Sequence, residues 1–197
     1  MKYKKISVVF LIITVAVLLT VYMVADTRIR TNPMTANHMI YENLEQLDHA
    51  VELIVIAKAT GKRENIVHGK DIMDSNGYTM TEISIKRILK NEINEKISPG
   101  DKMKISEPYY ILDKGVIPGK VKNIYSEYSE ILDDALYILY LKWYKGSHSY
   151  SVHALNQGKY NIDGKDLYEN KTIEQSNTKR IKVEVLEEYE AEISSLQ

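Results

Sequence analysis

Hydrophobic positions along this chain fall into three patterns, and each predicts a different kind of element. Lys2, Lys4 and Lys5 lead into Ile6–Ala25, a run without any charged side chain, and charge returns at Asp26, Arg28 and Arg30. A helix rises about 1.5 Å per residue, so such a run spans roughly 30 Å, the hydrocarbon thickness of a bilayer. The pattern predicts one N-terminal transmembrane helix over residues 6–25, a signal anchor, with residues 1–5 kept in the cytoplasm by their lysines. Tyr22 sits near the outer end, where aromatic rings favour the membrane interface. The alternative is a signal peptide cut after Ala25. The run is longer than the usual signal core of about 7–15 residues, and Met23 is a poor fit to the outer cleavage position. In either case everything from Asp26 onward is extracytoplasmic, on a single-pass membrane protein or a secreted one.

The second pattern has a helical period. Ile40, Leu44, Leu47 and Val51 fall on one face and predict a helix from Thr35, its N-cap, to about His49, after a polar juxtamembrane linker over 26–34. The third pattern alternates. Glu52–Thr60 is a dense apolar run closed by Gly61. Tyr78–Leu89 puts Thr81, Ile83, Ile85 and Leu89 on one face, with Arg87 as the misfit, and Lys102–Ser106 turns Met103 and Ile105 inward. Leu136–Tyr144 is apolar on both faces, as a central strand would be. Tyr150–Ala154 follows as its hairpin partner, and Gly158–Asp163 as a further short strand. Lys62–Gly77 and Lys90–Ser98 read as polar connections. Glu107–Ala135, rich in Pro, Gly and Tyr, reads as one long irregular loop. In the tail, Ile181, Val183 and Val185 alternate like a strand, and Leu186, Tyr189, Ile193 and Leu196 suit a helix face. The expected organisation is therefore a β-barrel domain with an N-terminal helix over 35–165 and a strand/helix tail over 166–197.

Composition narrows the function classes. The chain has 197 residues and a net charge of −1, with 26 basic and 27 acidic residues. Removing three lysines with residues 1–25 leaves 23 basic against 27 acidic, or −4, on the exported part. That surface argues against a nucleic-acid partner, which needs a basic stripe. There is no Cys, which removes thiol catalysis, iron–sulfur clusters, thiolate zinc sites and a lipoprotein anchor, and leaves an exported domain to stand on its core alone. Of the aromatics, 15 are Tyr, with one Trp and one Phe. Tyr suits a half-buried sheet surface.

Two segments resemble a known family. Ala50–Ala59 is similar to the first barrel strand of netrin-like modules, the OB-type barrels typified by tissue inhibitors of metalloproteinases: an alanine and an acidic residue lead into an apolar strand ending in a basic residue. Ile83–Lys90 resembles the next long strand of that module. The layout, with Leu136–Leu141 and then Gly158-Lys159-Tyr160, also resembles small exported proteins of Gram-positive bacteria. The likeness covers roughly residues 50–162. It implies a mainly β fold: a small OB-type barrel with flanking helices. It does not carry the family's inhibitory mechanism, because those inhibitors grip zinc through an N-terminal cysteine and this chain has none.

Candidate chemistry is sparse. His38, His49, His68, His148 and His153 show no metal-ligand spacing, so no metal or cofactor is expected. Asp133-Asp134 reads as turn chemistry. Glu107 and Asp113 flank the long loop and are the only acid–base candidates. No phosphate loop or serine-nucleophile motif occurs: Gly61-Lys62 and Gly69-Lys70 each lack the rest of a P-loop. Asn170-Lys171-Thr172 fits the glycosylation pattern. The residues best suited to contact a partner are Tyr109, Tyr110, Tyr125 and Tyr128, since Tyr is enriched at interfaces; the bland reading is that their rings plug the barrel end. The sequence therefore leads to a membrane-anchored binding module without catalytic activity, meeting an envelope or secreted protein. The alternatives are an inhibitor or immunity-type protein acting on a secreted or envelope enzyme, and an enzyme with an acid–base site in the 107–135 loop.

Overall fold

A computed structural model describes residues 2–69, 75–93, 96–172 and 177–196, with the side chains of residues 2–9 and 170–172 left aside. Lys70, the side chains of Lys2, Lys4 and Lys5, and those of the Asn170-Lys171-Thr172 tripeptide lie outside the described residues. The chain is mainly β. Strands β2 (Leu53–His68), β3 (Asn76–Asn91), β4 (Lys102–Glu107), β7 (Leu136–Tyr144) and β8 (Ser149–Val152) lie side by side in the order β2-β3-β4-β8-β7, and β7 pairs back to β2. The ring is thereby closed. Every neighbour pair is antiparallel except β4 and β8, which meet in parallel over Ile105↔Tyr150 and Ser106↔Ser151 only. This connectivity is compatible with an OB-like fold. Strand β9 (Lys159–Asn161) adds to the other side of β7.

The alternation along β2 and β7 explains why both read as apolar on both faces. Leu53, Val55, Ala57 and Ala59 of β2, with Tyr137, Leu139 and Leu141 of β7, fill the barrel interior. Ile54 and Ile56, with Ile138 and Tyr140, point outward into a second buried layer. Helix α2 (Leu44–His49) and helix α4 (Asn177–Glu188) cover that layer with Leu47, Ile181 and Val185. The Arg87 misfit is resolved by two bulges. Ala57 pairs with Ile85 but Ile56 with Arg87, and Val55 pairs with Ile88 but Ile54 with Lys90. Each bulge re-phases the strand, so Ile88 packs on the interior and Leu89 on the helix layer.

Five expectations change. The predicted helix over 35–49 is only α2, capped by the Asn43 side chain, which accepts from the Gln46 N–H at 2.9 Å; Thr35 is not its cap. The tail residues read as a strand form α4: Ile181 and Val185, four apart, are buried while Val183 between them is 49% exposed. Three alternating residues cannot separate a strand from a helix face with that spacing. The arms of the β2–β3 hairpin run out to His68 and Asn76, through the stretch read as a polar connection. The long loop is largely ordered as β5 (Tyr109–Asp113) and β6 (Lys120–Tyr125), an antiparallel hairpin. Strand β1 (Ile29–Met34), within the stretch read as linker, pairs in parallel with β6 from Ile29↔Lys120 to Met34↔Tyr125. The free edge of β5 is held to β2 by one side chain. Asn65 donates to the Ile111 carbonyl at 2.7 Å and accepts from the Ile111 N–H at 2.6 Å, imitating a strand partner.

Helix α1 (Lys2–Asp26) carries the N-terminal apolar run, and its large apolar side chains from Phe10 to Val24 are exposed. Among the described residues no helix is both long and apolar enough to cross a membrane. The turn end of the β5–β6 hairpin is fastened to the end of α1: the Gly119 N–H donates to Asp26 at 3.2 Å and the Lys120 N–H to the Arg28 carbonyl at 2.8 Å.

Candidate functional site

The structure sorts the four candidate tyrosines into two pairs. Tyr109 and Tyr128 are buried in the barrel interior. Tyr128 O–H donates to Glu107 Oε2 at 2.9 Å, and Lys122 Nζ lies 4.5 Å from the centre of the Tyr109 ring. Tyr110 and Tyr125 meet outside the barrel, ring centres 6.2 Å apart. Tyr110 is buried, lies against Gly77 where a Cβ would come within 3.0 Å of its ring, and donates to the Ser75 carbonyl at 2.6 Å. Only Tyr125 stays half-exposed and borders a cleft. Three of the four rings are thus buried, Tyr109 and Tyr128 within the barrel and Tyr110 outside it.

Glu107 and Asp113 do not come together. Glu107 is fully buried at the inward end of β4. It accepts from Thr81 Oγ1, from Tyr128 O–H, and from the Ile131 N–H at 2.8 Å. Burial pushes its carboxyl above the ordinary range, against those three donors and the Arg63 charge, which favour the ionised form. Asp113 is exposed, 4.0 Å from Lys120. Sequence reasoning placed Glu107 in a loop, although the alternation itself pointed inward: Met103, Ile105 and Glu107 share one face of β4.

A second buried charge was missed. Lys159 is fully buried, with Nζ 3.6 Å from Asp166 and 3.5 Å from Glu169. Asp166 also accepts from Tyr137 O–H at 2.9 Å, and Lys182 of α4 reaches Glu169 at 2.8 Å. The Asn161 N–H donates to Glu169 at 3.0 Å, so a carboxylate from helix α3 (Leu167–Thr172) stands where a further strand would pair with β9. The signal was the pair Asp166 and Glu169, three apart and just downstream of Lys159. Among the described residues no group of three or more His, Asp or Glu side chains could hold a metal ion. His153 is instead tied to the segment before α2, its Nε2 lying 2.7 Å from the Tyr41 hydroxyl.

With both buried charges internally satisfied, the open concave surfaces among the described residues include a cleft of about 530 Å³ over the parallel β4–β8 seam and one of about 550 Å³ beside β6, bordered by Lys122, Glu130 and Tyr168; the first is walled by aromatic rings from separate elements. His68, Asn76 and Tyr78, at the ends of the β2–β3 hairpin arms, form one wall. Tyr144, at the end of β7, and Gly146, in the β7–β8 turn, form another, and Ala36–His38 with Tyr125 a third. The floor carries Ser106 and Ser151, and behind Ser106 a buried row of hydroxyls continues: its Oγ lies 3.0 Å from Ser147 Oγ, which lies 2.8 Å from Ser149 Oγ. The Tyr144 ring is laid over Gly146, where a Cβ would come within 2.6 Å of it. Hydroxyls, imidazoles and aromatic rings line the cleft, and its volume lies in the range of ligand pockets. No protein-family model and no curated protein matches the chain.

Proposed function

We propose that this chain is a membrane-anchored, extracytoplasmic binding module of the OB type, netrin-like in its first strands, without catalytic activity, and that it engages an envelope or secreted protein at the cleft over the β4–β8 seam. The observation that carries the reading is the cleft's position. It opens between the arm ends of the first two barrel strands, at His68 and Asn76, and the turn joining the fourth and fifth, the side on which OB-type barrels take their ligands. The two segments that resemble netrin-like modules support the family reading: they are neighbouring antiparallel barrel strands, paired through Ala57↔Ile85. The exposed apolar run of α1 supports the anchor, with the barrel outside and residues 1–5 in the cytoplasm.

The test is site-specific crosslinking in cells of the source organism. A photoreactive phenylalanine replaces Tyr144 at the cleft or, as a control, Val183 on α4. One recurring envelope or secreted protein captured from position 144 and not from 183 is the expected result. Equal capture from both positions, or none from 144, would overturn the cleft as the binding surface.

A further inference from the structure

The turn of the β5–β6 hairpin holds the most exposed apolar side chain of the described barrel region. Val116 is 90% exposed and Ile117 63% exposed, between Gly115 and Pro118. The tip is fixed against α1 at two heights. At the foot of the turn, Gly119 and Lys120 bond Asp26 and Arg28, at the end of the helix. At its tip, the Tyr22 hydroxyl lies 3.5 Å from the Gly115 carbonyl and 3.3 Å from the Val116 carbonyl and donates to them. The hairpin therefore runs back along the helix, toward its N-terminus. Tyr22 precedes Ala25 by three residues, about 4.5 Å of helix rise, and helix side chains lean toward the N-terminus. The tip thus lies beside the apolar run and not above it.

We infer that this tip is a second point of membrane contact: Val116 and Ile117 enter the interface of the same bilayer that α1 crosses, and they set the height and tilt of the barrel above it. The inference rests on the anchor reading given above. Three observations choose lipid as the occupant. A tip level with Tyr22 must meet the interface if residues 6–25 span the membrane. The carbonyls of Gly115 and Val116, which would be costly to bury bare in a poorly hydrated layer, have the Tyr22 hydroxyl as donor. Arg28, Arg30, Lys114 and Lys120 cluster in this part of the chain against Asp26 and Asp113, a local positive balance suited to lipid headgroups despite the acidic surface elsewhere.

The absence of Cys makes the test direct. The full chain is reconstituted into vesicles of phosphatidylcholine and phosphatidylglycerol, carrying a single fluorophore at Val116→Cys, at Val15→Cys within α1, or at Val183→Cys on α4. Quenching by lipids with a nitroxide at shallow or deep acyl positions is then read. The proposal expects deep quenching at 15, shallow quenching at 116 and none at 183. It also expects Ile117→Asp to abolish quenching at 116 while leaving position 15 and the circular dichroism unchanged. Quenching at 15 without quenching at 116 would overturn the hairpin contact and leave the anchor standing. No quenching at 15 would overturn the anchor and this inference together. Quenching at 183 as well, or quenching at 116 that survives Ile117→Asp, would show that tethering or general adsorption holds the tip there, and would overturn it too.

Discussion

Two fully buried charges lie on either side of one tyrosine, and the fold satisfies them differently. On the Glu107 side, a lone carboxylate is held by the neutral donors of Thr81, Tyr128 and Ile131. On the Lys159 side, an ammonium stands between Asp166 and Glu169, with Nζ 5.9 Å from the centre of the Tyr128 ring and 5.1 Å from that of Tyr137. The difference follows from what each group joins. Glu107 sits within the barrel, where the segment after β6 supplies hydrogen-bond donors. Lys159 joins β9 to α3, and through Glu169 and Lys182 to α4. Buried charge pairs cost desolvation that their attraction only partly offsets. The Lys159 cluster is thus better read as fixing which surface the C-terminal helices cover than as adding net stability.

The comparison predicts that the Lys159 side breaks harder. Lys159→Met keeps the length of the side chain but leaves Asp166 and Glu169 buried without their shared cation. The expected loss is about 3–5 kcal/mol of unfolding free energy, read by urea titration. The triple variant Lys159→Met, Asp166→Asn, Glu169→Gln removes the three fully buried charges together, leaves the partly exposed Lys182 facing an amide in place of the Glu169 carboxylate, and is expected to regain part of that loss. A triple variant no more stable than the single one would mean that the cluster stabilises through more than mutual neutralisation.

Tyr128 separates the two sides. Tyr128→Phe keeps the ring near Lys159 and removes only the O–H donated to Glu107. A hydrogen bond to a charged group contributes about 1.5–3 kcal/mol, so a loss of about 1.5 kcal/mol is expected, additive with Lys159→Met. Strong non-additivity in the double variant would show that the two sites act as one network through the ring.

Legibility in the sequence follows the same division between local and distant causes. The barrel strands were readable because each carries its own alternation: Ile54 and Val55, or Ile138 and Leu139, say directly that one face meets the barrel interior and the other a second layer. The β5–β6 hairpin was not. Lys120, Lys122 and Asn123 give β6 no apolar period, and it is ordered by partners far along the chain: β1 in parallel, Asn32 donating to Asn123 at 2.6 Å, and Lys122 paired with Glu130 at 2.7 Å. Of the candidate tyrosines, Tyr109, Tyr110 and Tyr128 are buried and Tyr125 borders the cleft, a division the local sequence does not carry. Nothing local distinguishes a ring lying on Gly77 from one turned to solvent. The cleft was invisible for a related reason: its walls come from five separate stretches that only barrel closure brings together.

The smallest effects concern pH, and they set Glu107 against the imidazole that faces Tyr41. Burial raises the Glu107 carboxyl above its ordinary value of 4.5, so the folded chain takes up a proton more readily there than the unfolded one. That contribution is fully present below about 4.5 and is lost as pH rises through the folded value. His153 has the opposite sign. Burial first, and the Lys142 charge second, press its imidazole from 6.5 down to about 4, which keeps the ring neutral beside the Tyr41 hydroxyl. Stability from this group is present above pH 6.5 and is lost as pH falls toward 4. Acidification from pH 7 to pH 4 therefore works in two directions within one domain. Glu107→Gln keeps an acceptor for Tyr128 and Ile131, costs about 1 kcal/mol at neutral pH, and removes the gain on acidification, so its melting temperature falls more steeply than that of the unaltered chain. His153→Gln removes the loss, so its melting temperature falls less steeply. Parallel pH profiles for all three chains would mean that neither group changes its proton affinity on folding, and that a buried carboxylate held by neutral donors and a buried imidazole facing Tyr41 have no opposed effects in acid.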